Sequence, residues 1–409
     1  MKNWIMLLTL SLIISSCATI EKEIVLKQGI WQAELKVMDN QILPFNFQLS
    51  RSSEGKYSMD ILNAEEVITV DEITINGDSI IIRTPVFEGY IAGTFDEGRI
   101  SGKFIKESLD RIVPFYAEFG VSERFLNTEM AIADASGIWE TEFSPETEDS
   151  YMGKGIFTQK DGKVTGTFRT TTGDYRYLEG VMDGDSLKLS VFDGAHAFLF
   201  TGRIKDSVLD GIFYSGNHFK EPFSAKRNEE YELPSPDSLT FLKDGYEKLG
   251  FSFPDSNGSM VSLEDERFKD KVVVIQIMGT WCPNCLDETK FLVEYLNKNT
   301  SENLEIIGLA FEYAKTAEGA QKSIKRLVDR IGVTYPILLA QYGTSDKEKA
   351  QEKLPMLNHV LSYPTTIFID KEGVVRKIHT GFNGPATGEK YIEFKEEFYA
   401  FVKTLLEGE

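Results

Sequence analysis

Cysteine is scarce in this chain: three in 409 residues, Cys17, Cys282 and Cys285. That is too few for a disulfide-stapled scaffold. Positive charge is also in deficit, with 44 Lys and Arg against 64 Asp and Glu and a formal charge of −20. A surface for nucleic-acid phosphates needs a cationic excess, so nucleic acid is excluded as a partner. The four histidines, His196, His218, His359 and His379, are scattered without zinc-ligand spacing, and no metal is expected. Beyond the first residues the longest dense apolar run is Val272–Met278, far below the roughly 18 residues that a membrane helix needs. What is present is ordinary for globular protein: 42% hydrophobic and 26% charged residues, too apolar for disorder. The length accommodates two or three domains at about 150 residues each.

Residues 1–17 read MKNWIMLLTLSLIISSC. Lys2 precedes an apolar stretch, Trp4 to Ile14, of signal-peptide length. Ile14-Ser15-Ser16-Cys17 resembles the bacterial lipobox, in which the cysteine is acylated and becomes the mature N-terminus. The plainer alternative is a secretory signal with an incidental cysteine. Acyl chains contribute about 0.8 kcal/mol per buried methylene, so two or three together anchor stably. The expectation is a bacterial cell-envelope protein, lipid-anchored to a membrane through Cys17 and facing the periplasm.

Self-comparison then finds a repeat. Gly29-Ile30-Trp31 returns as Gly137-Ile138-Trp139, Gly77-Asp78-Ser79 as Gly184-Asp185-Ser186, and Pro114-Phe115 as Pro222-Phe223. Gly102-Lys103-Phe104 matches Gly211-Ile212-Phe213 in the same register, offset by 109. Strand-like alternation accompanies these landmarks, as in Phe45/Phe47/Leu49 and Val164/Gly166/Phe168, with Gly-Asp turns between. Two tandem antiparallel β domains are expected, each a small barrel or sandwich. Trp31 and Trp139 read as core plugs, and His196 and His218 as ordinary strand or loop residues. Neither repeat shows a charged or metal-binding cluster along its sequence.

A charged, proline-bearing stretch ends the repeats, and the grammar changes to strands alternating with helices, an α/β pattern. The domains are therefore set at 1–17 (leader and lipidated cysteine), 18–132 and 133–230 (β repeats), 231–244 (linker) and 245–409 (α/β). Lys347 to Leu361 is expected to hold an added helix, and Tyr391, Phe394, Phe398, Phe401 and Leu405 mark a last one.

The chemistry sits in Trp281-Cys282-Pro283-Asn284-Cys285, directly after an apolar strand and opening a helix. Cys-x-x-Cys means half a zinc site or a redox pair, and no second pair of zinc ligands exists here. At a strand-to-helix turn the first thiol faces unsatisfied N–H groups and the positive end of the helix dipole, which favours its thiolate. Pro283 suits the first helical turn, and Cys285, one turn on, is placed to close a disulfide with Cys282. A merely structural Cys282–Cys285 disulfide would link neighbours and constrain little of the unfolded chain.

Phe253-Pro254-Asp255, KVVVIQIMGTWCPNC and Tyr363-Pro364-Thr365-Thr366-Ile367-Phe368-Ile369-Asp370 together resemble TlpA-like thiol-disulfide oxidoreductases of the thioredoxin superfamily. The resemblance covers about 245–409 and implies a thioredoxin-like fold for that stretch. It implies that Pro364 is a cis-proline lying against the redox pair, with the Tyr363 backbone and the neighbouring Thr365 beside it. Where thioredoxin buries an aspartate, six residues before the first cysteine, this chain has Gln276, which cannot shuttle protons. Glu312 matches the place from which a carboxylate in this family approaches the pair. The function expected is disulfide exchange on substrate proteins, in the reductive direction, fed by an envelope electron donor and needing no cofactor beyond the disulfide itself. The alternatives are a thiol peroxidase, against which Gly279 stands where that family uses threonine, and a binding module with an accessory redox domain.

Overall fold

A computed structural model describes residues 25–408; the leader and Cys17 lie outside the described residues. The first repeat consists of β1 (Gly29–Lys36), β2 (Ile42–Arg51), β3 (Tyr57–Asn63), β4 (Glu66–Val70), β5 (Glu72–Asn76), β6 (Ser79–Arg83), β7 (Tyr90–Phe95), β8 (Arg99–Lys106) and β9 (Arg111–Phe119). Their order is β4-β3-β2-β1-β9-β8-β7-β6-β5, antiparallel throughout. The second repeat runs β10 (Gly137–Phe143), β11 (Tyr151–Lys160), β12 (Lys163–Thr170), β13 (Gly173–Asp174), β14 (Leu178–Asp183), β15 (Ser186–Phe192), β16 (Ala197–Lys205), β17 (Val208–Ser215) and β18 (Phe219–Arg227).

Strand for strand the two repeats correspond, but only the second closes. There β13 occupies two residues at the end of β12 and leaves Lys163 to Gly166 to pair with β14, which completes a barrel. In the first repeat β4 takes the same edge of β3 from Met59 to Asn63, so that sheet stays open. Both carry a facing glycine pair, Gly93 opposite Gly102 and Gly202 opposite Gly211. A Cβ on Gly102 would meet the Ala92 carbonyl oxygen at 2.3 Å, and one on Gly211 the Thr201 oxygen at 2.4 Å. Side chains there would push the paired strands apart. Trp31 and Trp139 are fully buried, and each indole N–H donates to the carbonyl four residues back, Lys27 and Ala135.

The repeats share a core. Phe192, Ala197, Leu199 and Tyr214 of the second enter the apolar interior of the first, with Phe192 stacked on Phe45 at 4.5 Å. This is why β2 is buried on both faces from Leu43 to Phe47.

The third domain opens with a hairpin, β19 (Ser252–Pro254) and β20 (Met260–Ser262). It continues β21 (Val272–Met278), α1 (Pro283–Lys298), β22 (Leu304–Phe311), α2 (Ala317–Ile331), β23 (Ile337–Gln341), α3 (Lys347–Lys353), β24 (Thr365–Ile369), β25 (Val375–Thr380) and α4 (Glu389–Glu407). The sheet order is β23-β22-β21-β24-β25, parallel across the first two pairs and antiparallel across the last two. All seven residues of the central strand β21 are buried, as its unbroken apolar run predicts for a strand covered on both faces. Helix α2 starts at the Thr316 cap and stops at Gly332, which takes φ +75°. The helix expected through Leu361 ends at Lys353, because Pro355 biases its predecessor Leu354 away from helical geometry. Among the described residues no helix is long and apolar enough to cross a membrane.

Candidate active site

Strand β21 delivers the chain to a tight turn at Gly279. A Cβ there would strike the Trp281 indole at 2.3 Å, so glycine lets Trp281 fold back and donate its N–H to the Phe311 carbonyl at 2.9 Å. Cys282 is the N-cap of α1, with Pro283 at the first helical position as expected. Its Sγ accepts the Cys285 backbone N–H at 3.1 Å and lies 3.4 Å from the Tyr363 carbonyl oxygen. The Tyr363–Pro364 peptide is cis. Cys282 keeps 6% of its surface exposed, whereas Cys285 keeps none. Burial first, and then the neighbouring Cys282, push the Cys285 thiol well above its usual range. The two cysteines are therefore unlike: one at the helix end that keeps a little exposed surface, and a protonated one behind it that keeps none.

Two carboxyls lie buried around the pair. Glu312 accepts from the Thr280 backbone N–H and from its hydroxyl, both at 2.7 Å, and burial pushes it up to about 7. In this position it fixes the turn leading into Cys282. Glu288 stands one turn after Cys285 on the buried side of α1, accepts from the Thr366 hydroxyl, and is also pushed by burial to about 7. Its Oε2 is buried without a hydrogen-bond partner among the described residues. Glu288 is the carboxyl whose charge adds to the forces raising Cys285. Gln276 joins this group, donating to the Cys285 carbonyl and accepting from Thr289, each at 3.1 Å. Thr365, fully buried, bonds the Ser362 carbonyl and holds the turn before Pro364.

Trp281, Pro283 and Asn284 thus adjoin the pair in sequence, Gln276 bonds the Cys285 carbonyl, and the Tyr363 carbonyl meets Cys282; Glu312, expected beside the second thiol, is bonded to Thr280. Glu288 was missed. Its signal was a charged residue three places after a cysteine on the face that must be buried.

The barrels complete the surroundings. Asn284 donates to the Asp174 carbonyl at 3.2 Å, and Ser362 to the Thr172 carbonyl at 2.8 Å, so the β12–β14 loop abuts the redox pair. From that loop Arg176, 4% exposed, reaches Glu66 of the first repeat at 2.7 Å, Asp193 of the second at 3.5 Å, and Asp287 of α1. Burial disfavours its charge, but Asp287, Glu66, Asp174 and Asp193 outweigh that and raise its pKa. A charge cluster that neither repeat shows along its sequence is assembled from four distant segments. Beyond Trp281 and Asn284 the site opens into a cleft of about 1120 Å³, walled by both repeats; His196 and His218, read as ordinary, line it. No group of three or more metal-ligating side chains occurs among the described residues.

Residues 246–378 match the AhpC/TSA family model. The thioredoxin-like protein YneN of Bacillus subtilis is 29% identical over 140 residues, covering 34% of this chain and 73% of that protein. The thiol-disulfide oxidoreductase ResA of Halalkalibacterium halodurans is 27% identical over 154 residues, 36% of this chain and 75% of that one. A solved thiol-disulfide oxidoreductase from Bacteroides fragilis aligns at 18% identity and TM-score 0.27, over 36% of this chain and 99% of its own.

Proposed function

We propose that residues 245–409 act as a TlpA-like thiol-disulfide oxidoreductase of the thioredoxin superfamily, in a lipid-anchored chain that reduces protein disulfides through Cys282 and Cys285. The observation that carries the reading is the Cys282 sulfur, capped by the Cys285 N–H and set against the carbonyl before the cis-proline. The Cys282 thiolate attacks one sulfur of a substrate disulfide, forming a mixed disulfide and expelling the other sulfur as thiolate. Cys285 then loses its proton and attacks the Cys282 sulfur. Cys282 and Cys285 end as a disulfide, the substrate leaves as a dithiol, and two electrons have moved. An envelope dithiol donor returns the pair to its reduced form. Reduction of insulin disulfides with dithiothreitol as donor tests the reading, and a rate no faster than dithiothreitol alone sinks it.

Glu288 takes the Cys285 proton in this scheme, because it is buried behind that thiol and has a free oxygen, while both oxygens of Glu312 are held by Thr280. Glu288→Gln is expected to slow resolution about 100-fold, the lower end for general-base assistance. A carboxyl at about 7 is a working base only above that pH, so the wild-type resolution rate should climb through pH 7. That inflection should vanish in Glu288→Gln and persist in Glu312→Gln. Stopped-flow Trp281 fluorescence reads both, and an unchanged profile in Glu288→Gln assigns the proton elsewhere.

The anchor rests on the lipobox resemblance. Cys17→Ser is expected to release the protein from the membrane fraction; unchanged sedimentation with membranes would remove Cys17 from the scheme. A second reading, thiol peroxidase, is favoured by the AhpC/TSA match. Gly279 weighs against it, and hydrogen peroxide consumption by the reduced chain decides.

A further inference from the structure

Where the three domains meet, the cleft beside Cys282 carries two cations, Lys106 and Arg111, that no salt bridge holds among the described residues. The β8–β9 hairpin of the first repeat enters it, with Lys106 paired across the strands to Arg111. Lys106 is 8% exposed, and its ammonium donates to a carbonyl, that of Ala195 at 3.1 Å, with no carboxylate in salt-bridge range among the described residues. Arg111, also on the cleft wall, is likewise without an ion pair among the described residues. Burial, and then the charge of Arg111, push Lys106 down to about 8 against the weaker pull of Asp193 and Glu88, and burial together with the charges of Arg111 and Lys106 pushes the nearby His218 to about 4. The carboxylates of the cleft are engaged or peripheral. Glu221 accepts from Tyr151 and Ser144, Asp174 from the N–H groups of Arg176 and Gly384, and Asp149 is exposed at the rim. Opposite the hairpin the mouth of the closed barrel presents Phe198, Phe213 and Phe219.

Desolvated cations without a carboxylate in hydrogen-bond contact are costly, and an anion brought to them is bound by charge-assisted hydrogen bonds. At about 1120 Å³ the cleft exceeds the usual range for small-molecule sites, about 300–1,000 Å³. We propose that it binds an acidic segment of polypeptide carrying the cysteine to be exchanged, its carboxylate received by Arg111 and Lys106 and an apolar side chain by the aromatic barrel mouth. This deepens the disulfide-exchange reading and names the substrate class it acts on.

The test uses the full chain and two fluorescein-labelled nonapeptides, each with Phe-Ser at its centre, the serine replacing cysteine so that no exchange occurs. One has aspartates flanking that centre and the other lysines. Anisotropy is expected to show the aspartate peptide binding at least about tenfold tighter, with the gap narrowing as salt rises. Arg111→Gln should collapse the gap to under about threefold, while Arg111→Lys, which keeps the charge, retains most of it. Equal affinities in the wild type, or an unchanged gap in Arg111→Gln, overturn the proposal. If Arg111→Gln does not fold, the wild-type gap and its salt dependence decide. Wild-type turnover of hydroxyethyl disulfide, small and neutral, reports separately on the redox pair. A chain that reduces it but does not discriminate the peptides has lost the cleft proposal alone; one that discriminates without reducing it has lost the exchange reading.

Discussion

Cys285→Ala is expected to abolish turnover and leave the protein covalently joined to its substrate. Cys282 is the cysteine that keeps some exposed surface, and its sulfur receives the helix-end N–H, so it still attacks when its partner is gone. Resolution needs a second thiolate within reach, and the described residues hold no other cysteine. The adduct should survive non-reducing electrophoresis and be released by dithiothreitol. Cys282→Ala should form none, because Cys285 has no exposed surface and its thiol is held protonated. Adducts accumulating through Cys285 would reverse the two roles. Adducts through neither would show that protein disulfides are not attacked, and would favour the alternative in which the β repeats do the work as a binding module.

Arg176→Met is expected to cost about 3–5 kcal/mol, the range for removing one partner from a buried ionic cluster. The substitution roughly keeps the volume and leaves Glu66, Asp174, Asp193 and Asp287 without their shared cation, with only the half-exposed Lys290 beside Asp287 and His196 beside Asp193. The sign of its pH dependence follows. Burial already raises the Glu66 and Asp174 pKa values with Arg176 present, and without it both rise further. A carboxyl whose folded pKa exceeds its unfolded one holds its proton at low pH without cost, and the penalty grows as pH climbs past the unfolded value near 4. The deficit against wild type should therefore be small near pH 4 and largest at neutral pH. Thermal melts at several pH values measure it. Residues 231–244, expected as a linker, pack against the third domain through Asp237 on His379 and Thr240 on Thr380; faster proteolysis of this stretch in the variant would show that the loss is felt where the domains are docked. Equal melting temperatures at pH 7 would demote Arg176 to a surface-strength contact.

Much of this was legible because its determinants are local. A cysteine pair after an apolar strand, a proline at the first helical position and glycines at turns act within a few residues, and the repeat is written in Gly-Trp and Gly-Asp landmarks. Barrel closure was not legible: it depends on whether β4 or β14 occupies one strand edge, and the difference is the length of a minor strand, five residues against two. The Arg176 cluster was hidden for another reason. Its partners Glu66 and Asp287 lie 110 and 111 residues away, and opposite charges at that separation carry no pattern. Glu288 fell between the two cases: its helical spacing from Cys285 was visible, but only the packing of β24 against β21 shows that it faces Thr366 in the interior.

The β12–β14 loop pressed against the redox pair has a consequence for traffic between redox proteins. Carriers that share a compartment at different potentials short-circuit if their sulfurs meet freely, and the electrons drain to the most oxidising acceptor. With Thr172 and Asp174 bonded to Ser362 and Asn284, one flank of Cys282 is already occupied by the chain's own backbone. Under the proposed function, a disulfide carried on a protruding segment would reach that sulfur more readily than one on a flat face. Shape would then act as insulation, narrowing the clients of this couple even where its potential lets it react with many.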